Sequence, residues 1–476
     1  MTDVSLTPLA IHAMSVRALG ESLRNGSLTA SEVLEHFLAR IERLQPVLNA
    51  FTYIDVEGAR AAARHSDCLL AEGKPRSLLE GIPVSVKDNI YIKGMPFVFG
   101  SPLFKDRIAT HDELPIELLR DAGAILVGKT NLPEFASRGS TYNPVYGATG
   151  NPWNPELTTG GSSGGSVASV AAGMVPLSLG TDGGGSIRRP AGYTGLVGLK
   201  PTLSRIPRAD GFTSVLYDCE VVGPIGRTVD DVRIMMSAIA KPHRRDQRSR
   251  GFAAMSDKAN EVGPLRILYV PQYGASPVDP EIAASCLQAC ERFSSMGHSV
   301  TVGELPFDIS PVSDNWAIIG NVCMSLMAQQ YPDFKDKVTV DYRDRALTGD
   351  AINGGTYQGV IELLQELRSK VGEAFAHYDI IMTPTSAANP WPKNEPFPPM
   401  IDGQKVGPRG HAVFTNWVNA CSHPGLALPA EPTASGMPIG FQLIADFGAD
   451  DLLLDLASCY EAQFATGKAW PEFSAS

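Results

Sequence analysis

Apolar residues recur at helical spacing after Thr29: Val33, Leu34, Phe37, Leu38, Ile41 and Leu44. Thr29 and Glu32 stand three apart just ahead of them, the arrangement of a capping box, so a helix is predicted here. The pattern then changes period. GIPVSVKDNIYI, from Gly81 to Ile92, alternates and predicts a strand. PIELLRDAG followed by AILVG predicts helix, turn and strand over residues 115 to 128. MVPLSLGTD predicts a buried strand that runs into a glycine-rich loop. Further on, LRILYV (Leu265 to Val270) and IIMTP (Ile380 to Pro384) read as strands. DPEIAASCLQACERFSSMG reads as a helix opened by Asp279 and Pro280 and closed by Gly297. GLALPAEPTASGMPIGFQLIA reads as two strands around a turn. Helices alternating with apolar strands predict an α/β layered fold, and no internal repeat is visible.

Composition narrows the function classes. The chain has 476 residues, 43% hydrophobic and 19% charged, the balance of a soluble globular protein. Its net charge of -11 argues against a nucleic-acid partner. The most basic run, KPHRRDQRSR from Lys241 to Arg250, is interrupted by Asp246 and reads as a solvated linker. No apolar run reaches the ~18 residues of a membrane span. The N-terminal MTDVSLTPLAIHAM lacks the basic start and apolar stretch of a secretory signal, so a cytoplasmic protein is expected. The seven cysteines are scattered. Cys286 and Cys290 share one helix face without completing a metal site, so reduced, mostly buried thiols are expected.

Three motifs compete for the chemistry. GAILVGKT, Gly123 to Thr130, satisfies the phosphate-loop pattern, but its middle residues Ala124, Ile125, Leu126 and Val127 read as a strand and not as an anion cradle. Gly160-Gly161-Ser162-Ser163-Gly164 matches G-x-S-x-G, yet NPWNPELTT before it is a loop where a nucleophile elbow needs a strand. His411 and His423 lie downstream in no specific triad context. The third set is two glycine-serine clusters, TTGGSSGGS and LSLGTDGGGSIRRP, taken with Lys87 in the strand-like VSVKDN.

That third set resembles the amidase signature family. The resemblance covers most of the chain and is densest from Gly81 to Thr202, with GKTNLPEF and GATGNPWNP before the clusters and GYTGLVGLKPT after them. It continues in GPIGRTVDD and GMPIGFQLIA. It implies an α/β fold in which a central mixed, twisted β-sheet is covered by helices on both faces. Residues 1–476 would form a single amidase domain. The signature core would span about residues 75–235, and a variable, specificity-setting region about 300–415. It also implies a Ser–cisSer–Lys triad: Ser186 as nucleophile, Ser162 as bridge, Lys87 as base, and a cis Gly161–Ser162 bond. No metal or cofactor is implied. The partner is a small-molecule amide, with no nucleic acid and no membrane, and the chain would be a monomer or homodimer. One branch of the family instead works with a second chain as a glutamine-dependent amidotransferase.

The chemistry has its own requirements. A serine hydroxyl needs an adjacent base, and an amine serves only when neutral. Free lysine has a pKa of about 10.4, so burial must lower it by roughly 3 for work near pH 7. The bare backbone of Gly183, Gly184, Gly185 and Ser186 would offer N–H groups as an oxyanion hole, with Asp182 and Arg188 bracing the loop. Substrate contacts are expected at Gly160, Gly161, Trp391 and Phe397. Trp316, Met324, Met327, Tyr331, Tyr342 and Trp417 add apolar bulk to the variable region. The segment from Thr385 to Gly410, with six prolines, is expected to form a partly rigid flap over the acyl pocket.

Overall fold

The structure is a computed structural model that describes residues 10–212, 214–464 and 471. Eleven strands form one sheet. In chain order they are β1 (Phe51–Ile54), β2 (Pro83–Lys87), β3 (Ile125–Thr130), β4 (Leu177–Asp182), β5 (Val197–Lys200) and β6 (Val221–Gly226). β7 (Arg266–Tyr269), β8 (Ser299–Val302), β9 (Ile380–Pro384), β10 (Gly425–Pro429) and β11 (Gly440–Ala445) complete it. Their spatial order is β1-β3-β2-β4-β6-β5-β10-β11-β9-β7-β8. The sheet is mixed. β3, β2 and β4 run parallel, as do β9, β7 and β8, while the strands between them pair antiparallel.

Strands β2, β3, β4 and β6 are buried along their whole length, the burial of sheet interior covered on both faces. β2 and β4 pair in parallel with Val86 opposite Leu179. Their carboxyl ends, Lys87 and Asp182, therefore reach the same edge of the sheet. Loops leaving that edge are where an α/β sheet forms its crevice.

The helix after Thr29 spans Ala30–Leu48 with the capping box made in both directions, and Asn49 closes it in the left-handed region. The strand expected over Gly81–Ile92 is shorter. It stops at Lys87, because Ile90 N–H turns back to Lys87 O and Asp88 accepts from Val98 N–H. GAILVGKT is the buried strand β3, whose Lys129 pairs with Asp88 at 3.3 Å and donates to Ile90 O. The basic run near 245 is pinned to the surface, with Arg245 paired to Glu117 and Asp210.

Five helices matter to the site. α1 (Gly164–Ala171) and α2 (Arg188–Thr194) follow the two glycine-serine clusters. α3 (Ser310–Gln330), α4 (Val340–Asp350) and α5 (Gly354–Ala374) build the region expected to vary. A second apolar cluster joins α3 and α5 to Trp417 and Ile444, so this region is packed onto the sheet. Among the described residues, no helix is long and apolar enough to cross a membrane.

Candidate active site

Lys87 ends β2 with no exposed surface. Its Nζ donates to Ser162 Oγ at 2.8 Å, to Thr181 Oγ1 at 2.8 Å and to Thr181 O at 3.2 Å. Asn89 Nδ2 also donates to Thr181 Oγ1, at 3.0 Å. Burial lowers the pKa of Lys87 to about 7. The carboxylates of Glu220 and Asp182 oppose that fall, and Arg208 and Arg189 assist it. A charged ammonium loses its hydration here without gaining a carboxylate in contact, so the neutral amine is favoured. As a free amine, Lys87 has a lone pair to turn towards Ser162.

The Gly161–Ser162 peptide is cis. Ser163 then ties this loop to the second cluster twice: its N–H donates to Ser186 O at 3.1 Å, and its hydroxyl donates to Thr181 O at 3.1 Å. Thr141 Oγ1 donates to Gly160 O and accepts from Gly164 N–H. Gly160 and Gly161 are thus enclosed in the protein. They do not line the main cavity, contrary to the expected substrate contact. A Cβ on Gly160 would fall 2.6 Å from Tyr193, which is why the bare backbone is needed.

Asp182 and Arg188 are both fully buried and joined by two hydrogen bonds of 3.1 Å. Burial alone would raise the Asp182 pKa, but the Arg188 guanidinium and the backbone N–H groups hold it well below the usual carboxylate range. The carboxylate accepts from the N–H of Gly185 at 2.6 Å, Ile187 at 3.0 Å and Arg188 at 3.3 Å. This changes the expected oxyanion hole. The Gly185 amide is spent on Asp182 and is not free for a substrate. The N–H groups of Gly183, Gly184 and Ser186 donate to no described group. Gly185 serves the turn instead: its φ is +107°, and a Cβ would lie 2.1 Å from Thr415 Oγ1.

Other braces were not legible in the motifs. Arg189 donates to Gly184 O and Thr415 Oγ1 on one side and to Gly161 O on the other, so one guanidinium spans both serine loops. Asn419 Nδ2 donates to Asp182 O and Oδ1, and Gln442 Oε1 accepts from Arg188. These partners lie more than 200 residues downstream: Asn419 is on the short helix Asn416–Ala420 and Gln442 is on β11, against which α2 packs. The second arginine of SIRRP was the one visible hint.

Ser186 is 8% exposed and opens onto a cavity of about 570 Å³. It shares a narrower recess with Ser162 and Gly183. Among the described residues, no hydrogen bond joins the two hydroxyls. The Lys87–Ser162 link is made and the Ser162–Ser186 link is open. The larger cavity is walled by Trp316 of α3, Tyr342 of α4, and Phe397 and Arg409 of the proline-rich segment.

Phe397 therefore lies where a substrate contact was expected, and Trp391 does not. Trp391 is buried behind the wall, edge-on to Tyr193 and tilted against His411, with its indole N–H on Glu395 O. Near its start the segment is tied to the body by Thr158 N–H to Trp391 O, by Lys393 N–H to Glu156 O and by the Leu157–Pro392 bridge. Met324, Met327 and Tyr331 belong to a separate apolar cluster, and Trp417 bonds to Tyr273. His423 hydrogen-bonds to Cys421 O, away from either serine. His411 borders the main cavity, but its ring nitrogens have no partner, so it bonds to neither serine.

Comparison with known proteins agrees with this architecture. The family described as Amidase matches residues 32–454. A glutamyl-tRNA(Gln) amidotransferase subunit from Picosynechococcus sp. is 32% identical, over 96% of this chain and 99% of that protein. An acylamidase of Rhodococcus erythropolis is 30% identical, over 96% and 97%. Among solved structures, a bacterial aryl acylamidase superposes with a TM-score of 0.88 at 27% identity, covering 95% of this chain and 97% of that one. A 6-aminohexanoate cyclic dimer hydrolase superposes with a TM-score of 0.86 at 26% identity, covering 98% and 99%. With a matching sheet, matching length and a family match over nearly the whole chain, this protein belongs to the amidase signature family and is an amide-hydrolysing enzyme.

Proposed function

We propose that the chain hydrolyses a small carboxylic amide, or a related carbamate, through a covalent acyl-enzyme on Ser186. The observation that carries this reading is the buried Lys87 amine, hydrogen-bonded to Ser162 in a recess that Ser186 shares. As Ser186 Oγ attacks the carbonyl carbon, its proton passes to Ser162 while the Ser162 proton passes to Lys87. The carbonyl oxygen becomes an oxyanion facing the free N–H groups of Gly183, Gly184 and Ser186; removing one such donor typically costs about 10² to 10³ in rate. The proton then returns along the same path to the leaving nitrogen, the C–N bond breaks, and the acyl group stays on Ser186. Water, deprotonated by the same relay, releases the acid. Trp316, Tyr342 and Phe397 give the cavity flat apolar faces suited to an aryl or alkyl group.

A fluorophosphonate followed by mass spectrometry tests the nucleophile. The adduct should sit on Ser186, and Ser186→Ala should abolish turnover of aryl and aliphatic amides while the melting transition stays intact. An adduct elsewhere, or retained turnover, overturns the assignment. The amidotransferase relatives favour a second reading, in which the chain releases ammonia from glutamine beside a partner. Glutaminase activity appearing only on addition of a second chain would select it.

A further inference from the structure

The cavity beside Ser186 carries more positive charge than amide hydrolysis requires. Arg138, Arg189, Arg345 and Arg409 line it against Asp341 alone, in a chain whose net charge is -11. Two of these arginines are already engaged. Arg138 pairs with Asp341, and Arg189 holds the serine loops through Gly161 O and Gly184 O. Arg345 meets only neutral acceptors, Asn321 Oδ1 at 3.2 Å and Ser137 Oγ at 2.7 Å. The Arg409 side chain forms no hydrogen bond or ion pair with any described residue; its guanidinium stands 6.0 Å from the Trp316 ring centre.

Arg409 is solvent-exposed at the rim of the cavity, beside the Trp316 ring. His411 stands in the same wall, its two ring nitrogens buried and unpartnered. Burial, with Arg189 and Arg409 nearby, holds it well below its usual pKa, so it is a neutral imidazole with one donor to offer. Two guanidinia facing one cavity with no carboxylate between them repel each other, and that repulsion is a cost in the free protein. The group that relieves it is an anion, and two planar guanidinia suit a carboxylate.

We infer that the substrate is an amide that also bears a carboxylate, held by Arg409 and Arg345 with His411 as a neutral donor, while its scissile carbonyl reaches Ser186. This rests on the amidase reading above. Trp316 sets the spacing. Its edge lies 3.8 Å from where a Cβ on Gly184 would be, and Arg409 flanks the same ring. The anionic end and the reacting carbonyl are therefore separated by about one indole ring, which selects short substrates.

Binding to the Ser186→Ala protein, measured by calorimetry, tests the anion site without any turnover. The probes are succinamate and its neutral counterpart succinamide, then 4-carbamoylbenzoate and terephthalamide, then N-acetylglycine and its amide. In at least one pair the acid should bind about tenfold or more tightly than the neutral partner, with the preference shrinking as salt is added. Arg409→Gln should erase that preference and Arg409→Lys should restore part of it. In the active protein, the acid-to-neutral ratio of kcat/KM should follow the same order, through KM. Equal binding within all three pairs, or a preference unchanged in Arg409→Gln, overturns the inference. Failure of the amidase reading looks different: no amide is hydrolysed and no adduct forms on Ser186, while the binding preference persists.

Discussion

Replacing Lys87 with methionine should make the protein harder to unfold while removing its hydrolysis. Burial lowers the Lys87 pKa from 10.5 to about 7 in the folded chain. Each pH unit of such a difference is worth about 1.4 kcal/mol, so hiding the cation costs the native state about 5 kcal/mol at low pH. Between the two values the unfolded chain holds the extra proton. Wild-type stability therefore gains from this group as pH rises from about 7 towards 10.5, and the full cost is present below 7. Methionine fills similar volume and does not titrate. Against that gain stand the lost hydrogen bonds to Ser162 and Thr181, each worth about 1 kcal/mol. Urea unfolding followed by tryptophan fluorescence, on both proteins from pH 6 to 9, reads the difference. The advantage of Lys87→Met should be largest at pH 6 and should narrow by about 2 kcal/mol between pH 7 and pH 9. A difference that stays flat with pH would show that Lys87 does not change its charge on folding, and the account of it as a neutral base would fall.

The pH profile of turnover should point the same way: kcat/KM should climb through about pH 7 as Lys87 loses its proton and then level, and a falling limb in that range would contradict it. Asp182→Asn should lower unfolding free energy by about 3 to 5 kcal/mol, because it leaves Arg188 buried without its carboxylate, and denaturant titration reads this directly. Phe397→Ala should raise KM for bulky aryl amides more than for acetamide, since Phe397 faces the cavity. Trp391→Ala, removing a prop behind the wall, should lower Tm and affect both substrates alike. Equal kinetic profiles for the two variants would refute that division.

The chemistry was legible where it is local. Lys87 within a strand-like stretch, and each serine among glycines, are short-range patterns visible in the sequence, although the strand's end at Lys87 was not. The α/β layering followed from hydrophobic period, and the sheet's mixed direction came only through the family resemblance. What joins the site across the fold was hidden. Thr415, Asn419 and Gln442 meet the Asp182 loop through tertiary packing of α2 on the far half of the sheet, and no window of sequence contains both sides of those contacts. The role of Gly185 was misread for a related reason: an N–H can face a substrate or a neighbouring carboxylate, and the glycine permits both. Trp391 and Phe397 lie six positions apart in one segment, and only the anchoring at Leu157–Pro392 separates the prop from the wall.

The cavity is assembled from several stretches of the chain that do different work. Its reacting edge, Gly184, Ser186 and Arg189, is held by the Asp182–Arg188 pair and by Asn419 and Gln442. Its outer walls, Trp316, Tyr342, Arg345, Phe397 and Arg409, come from α3, α4 and the proline-rich segment, and none of them supplies a hydrogen bond to that reacting edge. Selection can therefore rewrite the walls one side chain at a time without disturbing the machinery that breaks the bond. A library confined to those five wall positions is therefore the economical route to retargeting this enzyme.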